Sequence, residues 1–309
     1  MRFVFLMLLA SVVFANETTY DVMWANWYPK EWEVELYKAN SKNGVLSASQ
    51  DVKSGFMHRI FYNTGNRLGM RPFASLATSE ESKSVIGALG LGYSFENLEV
   101  IFETEAGKFG VETTMDEDTY DGECNYMGLK LKVAADIRGN KLGGFIAYKQ
   151  VESPNVDILI DGSDGEIIDL YYDKDYSSSV ASLGLYAVFI SKDESLLLEF
   201  NIGFGVAIGY PGSDVTNDVQ NQWQVEAKDY ANIGIDYTID LRYRDRISNY
   251  GIWFVGIRAS GFGHLDAISG AIEQGDDESL KNDGKFNPEF RASRVDLVYG
   301  PYVGLGLVF

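Results

Sequence analysis

The sequence predicts an all-β fold in which long antiparallel strands form one closed sheet. Polar and apolar residues alternate over segments longer than the ~5–6 residues usual in soluble strands, and period two is the period of a β-strand. The 19 tyrosines, 18 phenylalanines and 32 glycines, with only six prolines, favour strands and turns. Short turns and long polar connections also alternate along the chain.

The last fifteen residues, Val295 to Phe309, show the pattern most clearly. Every second residue back from Phe309 is apolar, and the intervening residues are smaller or more polar. A long apolar strand with a free edge invites aggregation, so pairing it with the first strand of a barrel would protect it. The stretch resembles the last strand of Gram-negative outer-membrane β-barrels, which typically ends in Phe or Trp and is read by the assembly machinery. The resemblance implies an assembly signal at Tyr299, Val303, Leu305, Leu307 and Phe309.

The remaining alternating segments predict an up-and-down antiparallel transmembrane β-barrel of about twelve strands. Their lengths fit the ~9–11 residues that a tilted strand needs to cross a membrane. Residues 16–31, aromatic and irregular, predict a short periplasmic lead-in. Ten strands are the alternative, if one hairpin within 32–79 lies outside the wall. The predicted strands are 32–39, 53–62, 70–79, 84–96, 98–112, 126–138, 141–152, 179–191, 195–210, 229–244, 250–264 and 295–309.

Residues 1–15 are expected to be a signal peptide that is removed on export to the cell outer membrane. Arg2 precedes the apolar run Phe3–Leu9, and Val13–Ala15 supplies a small-residue cleavage site. The alternative is an N-terminal membrane anchor, which the shortness of the run disfavours. Since no linker or low-complexity tract follows, residues 16–309 are expected to form a single barrel domain.

The charge and cysteine content exclude several classes of protein. A net charge of −19 repels nucleic acid phosphates, so no nucleic acid partner is expected. Cys124 is the single cysteine, which excludes an internal disulfide framework. The expected partners are outer-membrane lipid and lipopolysaccharide, the barrel-assembly machinery and small solutes. No cofactor is expected.

If the apolar faces contact lipid, the opposite faces line the lumen and carry many charges. If 98–112 and 126–138 pair antiparallel, a register that puts Glu105 opposite Lys132 also puts Glu99 opposite Arg138. Likewise, Glu199 could face Arg242. Such charges either neutralise one another as cross-strand pairs or line a water-filled pore. Glu33 and Glu35 of the first predicted strand would also face inward. The predicted pore-lining residues are Glu99, Glu103, Glu105, Lys130, Lys132, Asp136, Arg138, Glu199, Asp236, Asp240, Arg242, Arg244 and Arg258.

Three functions are open at this point. The first is a porin-like channel for passive diffusion of small hydrophilic solutes, cationic or neutral. The second is a closed barrel that acts as a surface adhesin or structural protein through long acidic loops. These predicted loops are 113–125, 153–178, 211–228 and 265–294. The third is a barrel enzyme similar to omptin proteases or to outer-membrane lipases.

The evidence for an enzyme is slight, and no enzymatic activity is expected. His264 precedes Asp266 by two residues, and Asp116 and Asp118 lie in another outer loop, which would resemble an omptin site. The order and spacing are not those of that family. A lipase-type site on His58 would need a serine that the sequence does not identify. Residues 161–166 look like a fragment of a calcium loop but lack EF-hand spacing, so no metal site is predicted.

Overall fold

A computed structural model describes residues 17–29, 33–38, 48–64, 69–115, 118–152, 156–161, 167–172, 177–210, 230–265, 286–291 and 295–308. The predicted signal peptide and Phe309 lie outside these ranges. Among the described residues, no helix is long and apolar enough to cross a membrane. The strands are β1 (Glu17–Pro29), β2 (Glu33–Lys38), β3 (Ala48–Asp51), β4 (Gly55–Asn63), β5 (Met70–Ser79), β6 (Ser84–Phe95), β7 (Leu98–Met115), β8 (Asp118–Ile137), β9 (Asn140–Glu152), β10 (Val156–Asp161), β11 (Ile167–Tyr172), β12 (Ser177–Ile190), β13 (Leu196–Tyr210), β14 (Tyr230–Arg246), β15 (Gly251–Leu265), β16 (Phe286–Arg291) and β17 (Val295–Val308).

Twelve of these strands form one closed antiparallel wall. Each wall strand pairs with the wall strands before and after it in the chain, and β1 closes the ring against β17, with Glu17 opposite Val308. The twelve-strand up-and-down barrel predicted from the sequence is thereby confirmed. In order around the wall, the strands are β1, β4, β5, β6, β7, β8, β9, β12, β13, β14, β15 and β17.

The first wall strand is β1, so the predicted lead-in at 16–31 and the predicted wall strand at 32–39 were both wrong. The two faces of β1 both carry apolar residues, because Met23 and Ala25 pack inside the barrel while Tyr20 and Trp24 point outward. This hides the alternation in the sequence. Residues 33–38 instead form β2, which pairs with β16 in a separate two-stranded sheet. Glu33 and Glu35 therefore lie outside the wall.

The connections between strands differ in length at the two ends of the barrel. The end with β17's terminus and the shorter turns corresponds to the periplasmic side of outer-membrane barrels. At the other end, β7 and β8 continue to Met115 and Asp118, so the predicted loop at 113–125 is largely a tall hairpin. The β5–β6 connection at 80–83 is an exception, because it is a short turn on this outer side.

The outward face of the wall is an apolar belt. Leu183, Leu185 and Val303 are 70%, 64% and 58% exposed, which is untenable for so many large side chains in water but suits lipid. Tyr299, Leu305 and Leu307 of the predicted assembly signal point outward with Val303. The chain therefore has the fold of a Gram-negative outer-membrane β-barrel.

Candidate functional site

The interior of the barrel is the candidate site, and it contains buried apolar side chains. These side chains form three clusters of buried residues, and cationic groups of the ion pairs described below lie over rings in each cluster. Some of the large inward side chains lie over inward glycines. The Phe145 ring, for example, reaches to within 2.7 Å of where a Cβ on Gly203 would lie. Large side chains from one part of the wall thus occupy space that small residues leave on another. The largest members are Phe109, Val151 and Phe262 in one cluster, Met23, Phe254 and Tyr302 in the second, and Ile101, Phe145 and Tyr186 in the third.

A buried carboxylate with two lysines crosses the lumen. A carboxylate oxygen of Asp236 on β14 lies 3.1 Å from Nζ of Lys149 on β9, and the other lies 3.3 Å from Nζ of Lys130 on β8. Two strands, β12 and β13, separate β9 from β14 in the wall, so these contacts span the interior. All three side chains are at most 9% exposed. Charges this deeply buried remain ionised only when they are paired, so the three residues depend on one another.

A second cross-lumen bridge is centred on Lys132. Its Nζ lies 3.0 Å from a carboxylate oxygen of Glu103 on β7 and 3.5 Å from one of Glu199 on β13. The ammonium also lies 4.8 Å from the centre of the Tyr186 ring, a distance at which the ring face stabilises a cation. Glu105 extends the same layer, with Lys149 at 3.6 Å.

The other side of the interior holds an arginine–aspartate cluster. Asp240 accepts hydrogen bonds from Arg258 at 3.0 and 3.1 Å, from Arg242 at 3.2 Å and from the Tyr302 hydroxyl at 2.5 Å. Asp21 of β1 accepts two hydrogen bonds from Arg59 of β4, at 2.7 and 2.9 Å. An Arg258 nitrogen lies 3.6 Å from Asp21 and joins the two halves. The cluster therefore ties β1 and β4 to β14, β15 and β17 from the inside.

A smaller group lies toward the periplasmic end. Glu99 pairs with Arg71 of β5 at 2.7 Å and also with Lys141 of β9. Arg244 pairs with Glu194 of the β12–β13 turn at 3.5 Å. Asp136 accepts a hydrogen bond from the Gly139 backbone at 2.9 Å. Asp136 and Arg138 are exposed residues at or next to a turn, so they do not contact the ion pairs of the mid-lumen.

The direct cross-strand pairings suggested for the lumen were wrong. Glu105 lies opposite Gly128, and Lys130 lies opposite Glu103, four residues away from the predicted register. Met115 of β7 lies opposite Asp118 of β8, and this pairing belongs to the same register. Glu199 lies opposite Asp240 rather than Arg242. The ion pairs form diagonally and across the interior.

Sequence reasoning missed several members of this network. Lys141 and Lys149 lie on the inward face of β9, a strand that was predicted. Both are an even number of residues from Phe145, so the alternation in this strand could have identified them as inward. Asp21 was missed because β1 was not predicted as a wall strand. Its partner Arg59 was missed because the alternation of polar and apolar residues in β4 is unclear. Together the interior pairs join seven carboxylates to eight cationic side chains. The described lumen is therefore close to neutral.

The residues considered for catalysis are not assembled into a site in the described part of the chain. His58 points outward from the wall, and its Nδ1 lies 2.7 Å from the Tyr20 hydroxyl rather than from a serine. Asp116 and Asp266, residues 162–166 and the side chains of Asp118 and His264 lie outside the described residues. Within the described ranges, no group of three or more His, Cys, Asp or Glu side chains is placed to hold a metal ion.

No protein-family model and no curated protein matches the chain. Solved outer-membrane barrels do match in shape. The translocator domain of the autotransporter NalP from Neisseria meningitidis is 13% identical, with 95% of this chain and 88% of that chain covered and a TM-score of 0.46. The Pseudomonas putida toluene transporter TodX is 9% identical, with 95% and 89% covered and a TM-score of 0.38. The outer-membrane protease OmpT from Escherichia coli is 10% identical, with 96% and 97% covered and a TM-score of 0.33. Because these scores are below 0.5, the likenesses assign neither a family nor a function.

Proposed function

We propose that the protein is a closed, non-enzymatic barrel of the outer membrane, which anchors and presents its acidic outer connections at the cell surface. The observation that carries this proposal is the set of ion pairs across the lumen, centred on Asp236 and on Lys132. Apolar clusters lie against these pairs, because Lys130 lies over the Phe145 ring and Lys132 over the Tyr186 ring, and we infer that side chains close the lumen at this level.

Passage of a hydrated solute would require these contacts to separate. Breaking a buried ion pair by removing one partner costs about 3–5 kcal/mol, because it leaves an uncompensated charge. Moving Lys130 and Lys149 away from the carboxylate of Asp236 would meet a barrier of similar origin. Passive diffusion supplies no energy to offset it.

The outer connections are where the chain's charge is concentrated. The four stretches 113–125, 153–178, 211–228 and 265–294 contain 22 acidic and six basic residues, which accounts for most of the net charge of −19. The lumen pairs are nearly balanced, so they contribute little to it. Such a surface suits a cationic partner, or divalent cations that bridge it to lipopolysaccharide phosphates. The barrel-assembly machinery and lipid remain the proposed partners of the wall.

The second candidate is the porin-like channel for small hydrophilic solutes, and one observation favours it. The side chains of Glu103, Glu105 and Glu199 are 28%, 34% and 33% exposed inside the barrel, so solvent reaches part of the lumen. A channel built on them would need Lys132 to move from between Glu103 and Glu199.

Trimming the outer connections tests the proposal. Variants that lack 211–228 or 265–294 would be produced beside the full chain, and heat-dependent migration in gels would confirm that each barrel folds. We expect trimming to abolish surface binding to cationic partners while liposomes containing either form stay impermeable to small sugars. Sugar uptake by liposomes holding the full chain would overturn the proposal in favour of the channel.

A further inference from the structure

A cavity of about 460 Å³ opens on the outward face of the wall, at the outer ends of β4, β5 and β6. This volume lies within the ~300–1,000 Å³ typical of small-molecule sites. The cavity is separate from the lumen, and neither the closed barrel nor the channel explains it. Its lining includes Phe56, His58, Thr78, Glu80, Lys83 and Val85.

The strand register explains why there is a cavity at this place. Thr78 of β5 lies between His58 of β4 and Val85 of β6, and its short side chain forms a low floor between larger neighbours. The turn at 80–83 ends the wall just above it. Phe56 and Val85 are half exposed and are continuous with the lipid-facing belt. The apolar side of the cavity therefore opens where the acyl chains of the outer leaflet lie.

Two nitrogen groups face the polar side of the cavity. The Nδ1 atom of His58 is occupied by the Tyr20 hydroxyl, which leaves Nε2 for a ligand. When the hydroxyl donates to Nδ1, Nε2 carries the hydrogen and is a donor. Lys83 lies 3.4 Å from Asp121, and both side chains are about two-thirds exposed. Such an exposed pair contributes little energy, so the ammonium can turn to a bound anion.

Carboxylates stand beside these nitrogen groups. Glu80 is exposed at the rim of the cavity. Glu81 accepts a hydrogen bond from the Ser79 hydroxyl at 3.1 Å and packs over Gly55, where an added Cβ would lie 2.5 Å from its side chain. The cavity thus presents cationic and anionic groups together, above an apolar wall. A purely anionic headgroup would be repelled by Glu80 at the rim.

We propose that this cavity binds a zwitterionic phospholipid whose headgroup carries a primary amine. The phosphate contacts Lys83 and Nε2 of His58, the ammonium contacts Glu80, and an acyl chain lies along Phe56 and Val85. Both charges of the headgroup then meet an opposite charge, and the chain enters the belt that lipid already covers. The site does not depend on whether the lumen is closed.

Lipid titration of the refolded full chain in detergent micelles tests the proposal, with native mass spectrometry as the readout. Phosphatidylethanolamine, phosphatidylglycerol and lipid A would be compared at equal concentrations. Lys83→Gln removes the ammonium, and Thr78→Trp fills the floor of the cavity. Lys108→Gln is the matched control, because Lys108 is another exposed lysine that pairs with a carboxylate, Glu123 at 2.7 Å.

We expect phosphatidylethanolamine to bind about tenfold more tightly than the other two lipids, as one lost charge-assisted hydrogen bond would predict. Lys83→Gln should weaken this binding by about the same factor, Thr78→Trp should abolish it, and Lys108→Gln should leave it unchanged. Equal or tighter binding of phosphatidylglycerol or lipid A would overturn the assignment of the headgroup. Unchanged binding in heat-modifiable, folded Lys83→Gln and Thr78→Trp variants would overturn the site itself.

Discussion

Replacing Asp236 by asparagine probes the cross-lumen contacts most directly. The substitution keeps the shape of the side chain and removes its charge. Lys149 then retains Glu105 at 3.6 Å, and Lys130 loses its carboxylate at 3.3 Å. Because both lysines are at most 9% exposed, water cannot replace the lost partner. We expect a destabilisation of about 3–5 kcal/mol, the cost of leaving a buried charge unpaired.

The assay is equilibrium unfolding in urea from lipid vesicles, followed by tryptophan fluorescence. Glu123→Gln is the control, because it breaks a pair with Lys108 that is half exposed on both sides and should change stability by only about 0–1 kcal/mol. The double variant Asp236→Asn with Lys130→Met should be less destabilised than Asp236→Asn, since it removes both members of a pair. A loss below about 1 kcal/mol in Asp236→Asn would refute the view that these contacts lock the lumen.

Two further predictions concern the periplasmic turn and the closing seam. Hydrogen bonds from the hydroxyl of Ser191 and from Ser195 hold the pKa of Asp193 below its usual range. A depressed pKa stabilises the fold above the unfolded value of ~3.9 and loses that effect as pH falls through the folded value. Asp193→Asn should therefore be less stable than the parent at pH 7, and urea titrations should converge as pH drops below about 4; a constant gap would contradict this. At the seam, a Cβ on Gly300 would lie 1.8 Å from the Trp24 carbonyl oxygen, so Gly300→Ala should impair closure and reduce heat-dependent gel migration; normal migration would contradict it.

The alternation in the sequence was enough to predict most of the wall. Strands such as β13 and β14 carry large apolar residues on one face and small or charged residues on the other, because one face meets lipid and the other the interior. The outward face of β17 was predicted for the same reason. Where this contrast is strong, the direction of each side chain follows from its position in the strand.

The contrast fails in β1, and the prediction failed with it. Met23 and Ala25 are apolar and buried, while Tyr20 and Trp24 are apolar and exposed, so neither face is distinguished by polarity. Inward residues need not be polar where they pack on one another, as Met23 and Ala25 do in a buried cluster. Apolar inward residues on other strands, such as Phe145, were not predicted for the same reason.

The partners of the charged residues could not be predicted from the sequence. Pairing predicted from the alternation joins residues on neighbouring strands only. Lys132 of β8 instead contacts Glu199 of β13, a strand that is not its neighbour in the wall. Such contacts depend on the diameter of the closed barrel and on which inward positions are glycine. The outward cavity at His58 also depends on register, because Thr78 and Val85 are brought beside it only by pairing.

Single-channel conductance of the refolded full chain in a planar bilayer tests the closed lumen most directly. The parent would be compared with a variant in which Asp236, Lys130 and Lys149 are all replaced by serine, which removes the cross-lumen contacts of Asp236 together with both of its lysine partners. We predict no steady conductance for the parent and ohmic openings for the variant. Steady openings of the parent barrel at low voltage, with the variant no more conductive, would contradict a lumen closed by these ion pairs.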